Sequence, residues 1–452
     1  MIRRLFDAIL HGIARLAVRL SVRSVEVQHR ERFPTGVPVL VVSNHFNGFV
    51  DPVLLTTVLP RTPRFLAKST LWKVWPARPL LAFAGAIPVY RPRDGGTPEQ
   101  NRTMFRDAEA VLRADGVVAI FPEGTTHDAP QLADLRTGAA RIALSAHAGG
   151  AQRLAIAPVS LLFESKLALR SRALVRFGRA IDMDTAAPSL PQDEREAVRR
   201  LTDVIDERLT EVVPPFADVW EEAELEEAAA ISLRSGEQRE VPLGRQQELA
   251  EQIVHSDHAA DVRGALQRYV ARLHILDAAD EEIAPRWLLG TLVRRLVVLG
   301  LVVALAVVVL APALAFNLIP AALVAVAGMQ PREPVTKGTV RLLTGLVVFP
   351  VTWITVAVLV HDRWYMRLGW IVYQIAACVV AIPLLEAIVE WFRGARSWWH
   401  LRDRRGLVPD LLTARADVVD AGRRATGAGA PSGNRVPSTA ESAASSARTP
   451  TR

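Results

Sequence analysis

Polar and apolar positions divide the chain into stretches of unlike character. Over residues 1–23, Ile2, Leu5, Phe6, Ile9, Leu10, Ile13, Leu16, Ala17 and Leu20 recur at helical spacing, with Arg3, Arg4, Arg15, Arg19 and Arg23 around them. This predicts an amphipathic helix lying in a membrane interface. The arginines break the apolar run, unlike the continuous core of a secretory signal. From 36 to about 182, short apolar runs at 39–43, 65–68, 86–90, 117–121, 154–163 and 173–177 alternate with helix-like stretches such as 98–114 and 137–148. Strands alternating with helices of ten to fifteen residues predict an α/β domain.

Beyond this, residues 188–289 read as an acidic helical region, broken at Pro214, Pro215 and Gly236. The solvent then changes. Residues 296–331 form 36 consecutive uncharged positions, 342–361 a second run of 20, and 368–389 a third with Glu386 near its end. About 20 apolar residues span a bilayer, so the last two runs are each one crossing. The first is either a hairpin dipping into the bilayer, interrupted at Asn317 and Pro320, or one kinked span. Positive-inside counting favours the hairpin, because it leaves the arginine-rich tail on the same side as Arg294 and Arg295. The expected organisation is an interfacial helix and lead-in at 1–35, a catalytic-type domain at 36–187, the acidic region at 188–289, membrane segments at 290–392 and a basic disordered tail at 393–452.

Composition agrees with a membrane-associated chain. Half of the 452 residues are hydrophobic and 22% are charged, too apolar for a disordered protein. Charge is unevenly placed: residues 391–452 carry eleven Lys/Arg against five Asp/Glu, whereas 193–290 carry 23 acidic and 11 basic residues. Basic residues beside apolar spans point to an anionic bilayer surface. No basic surface interleaved with aromatics marks a nucleic-acid partner. The single cysteine, Cys378, excludes an intramolecular disulfide and a cysteine zinc cage.

Candidate chemistry begins at Val41-Val42-Ser43-Asn44-His45-Phe46-Asn47-Gly48-Phe49-Val50-Asp51-Pro52, which sets a His and an Asp where a strand ends and a helix begins. Open α/β sheets bind ligands at that edge. A histidine can take a proton near neutral pH, and a carboxylate on its far nitrogen fixes the tautomer. Alone the pair also fits a buried His beside a helix-capping Asp. Three more strings follow: Gly85-Ala86-Ile87-Pro88-Val89-Tyr90-Arg91, Phe121-Pro122-Glu123-Gly124-Thr125 and Ile156-Ala157-Pro158-Val159. No Gly-x-Ser-x-Gly elbow, P-loop, HExxH or Rossmann fingerprint is present.

In order and spacing these blocks resemble the glycerolipid acyltransferase family, over about 36–182. Leu135-Arg136-Thr137-Gly138 also looks like the basic-x-Gly stretch that follows its Glu-Gly block. Most members place four residues between the His and the Asp, and here there are five. With Thr126-His127-Asp128, that spacing resembles the branch holding fungal-type glycerol-3-phosphate and dihydroxyacetone-phosphate acyltransferases and their bacterial relatives.

The resemblance implies a central mixed sheet flanked by helices, with membrane helices after the domain. His45 would be the general base and Asp51 its orienting partner. Arg91 would bind the acceptor phosphate, with Lys68 and Arg136 as further phosphate contacts. Glu123 and Gly124 would shape the acceptor site, Glu123 accepting from a glycerol hydroxyl. His127 is expected to diverge from the site. The implied reaction is direct transfer of a fatty acyl group from acyl-CoA or an acyl carrier protein to glycerol 3-phosphate or dihydroxyacetone phosphate. It needs no cofactor and no metal. The alternatives are lysophosphatidate as acceptor, or an inactive lipid-binding membrane protein. Such an enzyme would be a multi-pass membrane protein whose catalytic domain faces the cytoplasm.

Overall fold

The computed structural model describes residues 2–74, 77–91, 94–166, 170–234, 240–283, 289–330, 334–403 and 405–427. Eight strands form one sheet: β1 Val22–Gln28, β2 Val39–Ser43, β3 Pro63–Lys68, β4 Ile87–Val89, β5 Val117–Ile120, β6 Ala155–Phe163, β7 Ser171–Phe177 and β8 Ile181–Asp182. Their order is β1-β7-β6-β2-β5-β3-β4, with β8 beside β6. All pairs are parallel except β6 with β7 and β6 with β8, so the sheet is mixed.

Both faces are covered, which is why β2 and β6 read as continuous apolar runs rather than alternating ones. On one face, Val39 and Val41 join Leu54 and Leu55 of α2 (Val50–Val58) and Val18 of α1 (Ile2–Ser21) in one core. α3 (Ala77–Phe83) packs near the sheet edge, Leu81 against Phe49. On the other face, Leu40 and Val42 pack against Ala108 and Leu112 of α4 (Pro98–Arg113) and Ala139 and Ile142 of α5 (Gly138–Ala148). Successive β2 residues therefore serve opposite layers, as the strand period demands. A capping box between Thr97 and Gln100 starts α4, with Pro98 at its first position. The short α6 (Met183–Ala186) leads to α7 (Glu194–Thr210), whose Leu201 and Ile205 complete this second core.

The expected acidic region 188–289 is thus divided: α7 joins the α/β domain, and the rest folds as α8 (Val219–Leu233), α9 (Leu243–Val254), α10 (Ala259–Leu276) and the short α11 (Asp280–Ile283). Here the structure departs from the expected disordered tail. Residues 408–425 form α15 (Val408–Ala425), which buries Leu411, Ala414 and Val418 in a core shared with α8 and α10. Composition conceals this helix because alanines and arginines fit a tail and a helix equally well. The residues of the tail beyond 427 lie outside the described set.

Three long helices lie between: α12 (Leu289–Met329), α13 (Pro334–Val360) and α14 (Trp364–Asp403). Lys337–Val360 and Trp364–Val389 are long and apolar enough to cross a membrane. The hairpin expected within 296–331 is not found among the described residues, since 296–329 belong to the single helix α12. Asn317 does not break α12. Its Nδ2 donates back to the Ala313 carbonyl (2.8 Å) and to Gln374 Oε1 (2.8 Å), while Trp353 Nε1 donates to its Oδ1 (2.8 Å). This buried amide ties the three helices together where an unpaired polar group in an apolar setting would be costly.

Candidate active site

Strands β2, β3, β4 and β5 are mutually parallel neighbours, so their carboxyl ends share one edge of the sheet. His45 follows β2, Lys68 ends β3, Arg91 follows β4, and Glu123 and Gly124 follow β5. Residues scattered over 80 positions of sequence thereby meet. A cavity of about 1260 Å³ opens at this edge, and His45, Lys68, Arg91, Gly124 and Arg136 all line it. Asp51 and Glu123 stand behind it, buried.

Asp51 sits in the first turn of α2 and is fully buried. Its Oδ2 accepts from the Phe46 N–H (2.8 Å), the Asn47 N–H (2.7 Å) and His45 Nδ1 (2.9 Å). The carboxylate thus gathers the loop around itself and holds Nδ1 protonated, leaving Nε2 with its lone pair for the substrate side. The extra residue between His and Asp is absorbed by this loop. Burial pushes the Asp51 carboxyl above its usual range, opposed first by the His45 hydrogen bond and charge and then by the Asn47 and Phe46 donors. The His45 ring stacks on Phe121, centroids 4.0 Å apart and 12° from parallel, which fixes its plane.

Glu123 does not take the role expected of it. Its Oε1 accepts the His45 backbone N–H (3.0 Å), and its Oε2 accepts the Ala133 N–H (2.9 Å) and pairs with His127 Nε2. With 2% of its surface exposed, the carboxylate positions His45 rather than facing an acceptor hydroxyl. Gly124 makes that possible. It turns the chain at φ +66, in the left-handed region that favours glycine, with its N–H on the Phe121 carbonyl (3.0 Å). The Arg136 side chain lies over Gly124, and its own N–H is held by the Pro122 carbonyl (2.8 Å).

Several supporting residues escaped the sequence reading. His127 does not diverge; bonding to Glu123 raises its pKa despite partial burial. Asn44 continues the β2–β6 ladder through its side chain, donating to the Leu161 carbonyl (2.9 Å) and accepting from the Leu161 N–H (2.8 Å). Lys166 Nζ lies 4.3 Å from the Phe46 ring centroid and pairs with Glu222 of α8 (3.0 Å), linking the acidic region to the back of the loop. Thr339 of α13 reaches in from 290 residues away, its Oγ1 accepting the Phe49 N–H (3.2 Å). Proximity in sequence signals only His127.

Charge and polarity divide the cavity. Lys68, Arg91, Arg102, Arg136 and Arg141 give it a basic side, while Leu10, Ile13, Ala14 and Ala17 of α1, Val53 of α2 and Leu342 and Leu346 of α13 give it an apolar one. His45 lines the same cavity. Such a site suits an anionic headgroup and an apolar chain bound together with a base. Among the described residues, no three His, Cys, Asp or Glu side chains converge as a metal cage.

Comparison with known proteins agrees with this geometry. An acyltransferase family model matches residues 24–162. Over 120 residues the chain is 32% identical to glycerol-3-phosphate O-acyltransferase 2 of Saccharomyces cerevisiae, covering 26% of this chain and 16% of that one. It is 33% identical over 124 residues to human 1-acyl-sn-glycerol-3-phosphate acyltransferase alpha, covering 27% and 42%. It is 36% identical over 139 residues to lyso-ornithine lipid O-acyltransferase of Rhizobium meliloti, covering 30% and 42%. The matched part thus spans less than half the length of these relatives. Residues 24–162, the segment that carries the site, are thus similar to acyltransferases over the stretch that the family model matches.

Proposed function

We propose that this protein is a membrane-bound O-acyltransferase that moves a fatty acyl group from a thioester, acyl-CoA or acyl carrier protein, to a hydroxyl of glycerol 3-phosphate or dihydroxyacetone phosphate. The observation that carries this reading is the oriented His45–Asp51 pair in the wall of a cavity lined by both basic and apolar side chains. His45 Nε2 takes the proton of the acceptor hydroxyl as its oxygen attacks the thioester carbonyl. The tetrahedral intermediate collapses with loss of the thiolate, to which His45 passes that proton, giving the free thiol. Asp51 stays ionised and stabilises the imidazolium between the two steps. Arg91, with Lys68 and Arg136, holds the phosphate, since guanidinium and ammonium donors match its oxygens.

A second acceptor has specific support. The apolar wall contributed by α1 and α13 suits an acceptor that already bears an acyl chain, as the name of the human relative describes. Purified protein mixed with radiolabelled acyl-CoA and, in turn, glycerol 3-phosphate, dihydroxyacetone phosphate and lysophosphatidate decides among them. Labelled product with the first two alone supports the leading reading, and product with lysophosphatidate alone moves the assignment to the second acylation. No product from any acceptor and either thioester overturns acyl transfer.

The same reading sets the topology. Acyl thioesters and glycerol phosphates are cytoplasmic, so the catalytic domain faces that side. α13 starts against the domain, Thr339 on Phe49, and α14 returns to it, Glu386 pairing through both oxygens with Arg170 (2.5 and 3.0 Å). α15 then packs on α8 and α10, which keeps the basic residues after α14 on the catalytic side, as arginine placement requires.

A further inference from the structure

The matched family segment ends at residue 162, yet the cavity does not. Part of its apolar wall is α13, a helix that is also long and apolar enough to lie in a bilayer. Three residues of α13 at helical spacing point to this one place. Thr339 accepts the Phe49 N–H, Leu342 packs with the cluster of Phe49 and Leu81, and Leu342 and Leu346 both line the cavity. Positions 339, 342 and 346 follow the i, i+3, i+7 rule, so they form one stripe along the helix. That stripe begins at the His45 loop and runs outward for about 10 Å at ~1.5 Å per residue.

The same space is also lined by α1, through Ile13 and Ala17. Both helices have apolar side chains outside the protein core: Leu346 is 39% exposed and Ile13 40%. The cavity, about 1260 Å³, also exceeds the ~300–1,000 Å³ usual for drug-sized ligands. It therefore has room for a headgroup and a long chain together.

We infer that Leu342 and Leu346 of α13 form part of the binding wall for a fatty acyl chain, so that a membrane helix outside the family domain sets which chain lengths react. This inference rests on the acyl-transfer reading above. The chain itself could belong to the thioester donor or to a lysophospholipid acceptor, and both present the same row of methylenes. Their shared chemistry is what the stripe recognises.

The test uses the full-length protein in detergent or nanodiscs. Leu342→Trp and Leu346→Trp narrow the cavity beside α13, and Leu346→Ala widens it. With palmitoyl-CoA and decanoyl-CoA as donors, each Trp variant should lower the palmitoyl-to-decanoyl ratio of kcat/KM by about tenfold or more, and Leu346→Ala should raise it, because one methylene in an apolar pocket changes that ratio by ~10–200-fold. A second readout does not depend on turnover. In a Cys378→Ser background, alkylation of the thiol introduced by Leu346→Cys should be slowed by palmitoyl-CoA and left unchanged by decanoyl-CoA or free CoA if the chain is the donor's, or slowed by lysophosphatidate if it is the acceptor's. Unchanged ratios in an active protein refute a donor chain on this wall, and a thiol that neither long-chain ligand protects overturns the inference. Protection of that thiol in a protein that transfers nothing would support the acyl wall while refuting the enzymatic reading.

Discussion

His45 is useful only because two buried carboxylates grip it from different directions, Asp51 through the ring and Glu123 through the backbone. His45→Ala should lower turnover by the ~10² to 10⁴ typical of a lost general base while leaving the melting temperature nearly unchanged, since the ring borders the cavity rather than the core. Turnover above about a tenth of the parent's would place the base elsewhere. Asp51→Asn should reduce both activity and stability, because the carboxylate accepts from three donors at once and is wholly buried. Arg91→Ala should raise the acceptor KM about tenfold or more and leave the donor KM alone, a charge-assisted phosphate contact being worth ~1.5–3 kcal/mol. Equal effects on both substrates would make Arg91 a structural residue.

His127 makes a different claim at the same scale. Its pKa is raised above the ordinary 6.5 by the Glu123 hydrogen bond, so protonation favours the folded state. The stabilisation is fully present below pH 6.5 and fades as pH climbs through the folded-state value. Thermal melting of the parent should fall over that alkaline-side window, and His127→Gln should flatten this part of the profile. Parallel profiles for the two proteins would show that the pair contributes nothing to folding.

At the scale of elements, the His45 loop is a junction between a strand, a helix and the long apolar helix α13. Gly48 is required there by contact rather than by dihedral angle: a Cβ on it would sit 2.3 Å from Thr339 Oγ1 and 3.5 Å from Thr339 Cβ. Gly48→Ala should therefore push α13 off the loop and lower activity. Thr339→Ala removes the colliding oxygen along with the acceptor for the Phe49 N–H, a loss of ~0.5–1.5 kcal/mol. Combining the two changes should recover activity relative to Gly48→Ala alone. Purely additive losses in this double-mutant cycle would mean that the two residues do not act through each other. The Asp51 loop, long by one residue, and the Thr339 contact thus meet at one glycine.

For the whole molecule, both ends of the α13–α14 pair return to the catalytic domain, through Thr339 and through Glu386. If the pair crosses the bilayer, Tyr365 at its tip and Leu412 on α15, each exposed, lie on opposite sides. In a Cys378→Ser background, an impermeant thiol reagent should label Tyr365→Cys from outside intact cells, and Leu412→Cys only after the membrane is opened. Labelling of both from outside, or of neither, would remove α13 and α14 from the bilayer as a crossing pair, and labelling of Leu412→Cys alone would reverse the protein within it.

What could be read from the chain alone was whatever depends on near neighbours. The strand and helix periods of the α/β domain, the uncharged runs of 342–361 and 368–389, and the His-Asp and Glu-Gly blocks at strand ends are all local patterns. The parallel strand order then converts those blocks into one site, because residues after neighbouring parallel strands must share an edge. The remaining features depended on pairings between distant segments. Glu123 changed from an expected ligand of the acceptor to an anchor of His45 because the β5 turn delivers its oxygens to the backbone beside β2. Residues 408–425 became a core helix because α8 and α10 supply an apolar surface for them. Thr339 joined the catalytic loop because α13 starts against a glycine. Periodicity shows that a residue has an apolar or a polar face, but burial and hydrogen bonding depend on which surface that face meets, and only the tertiary fold decides this.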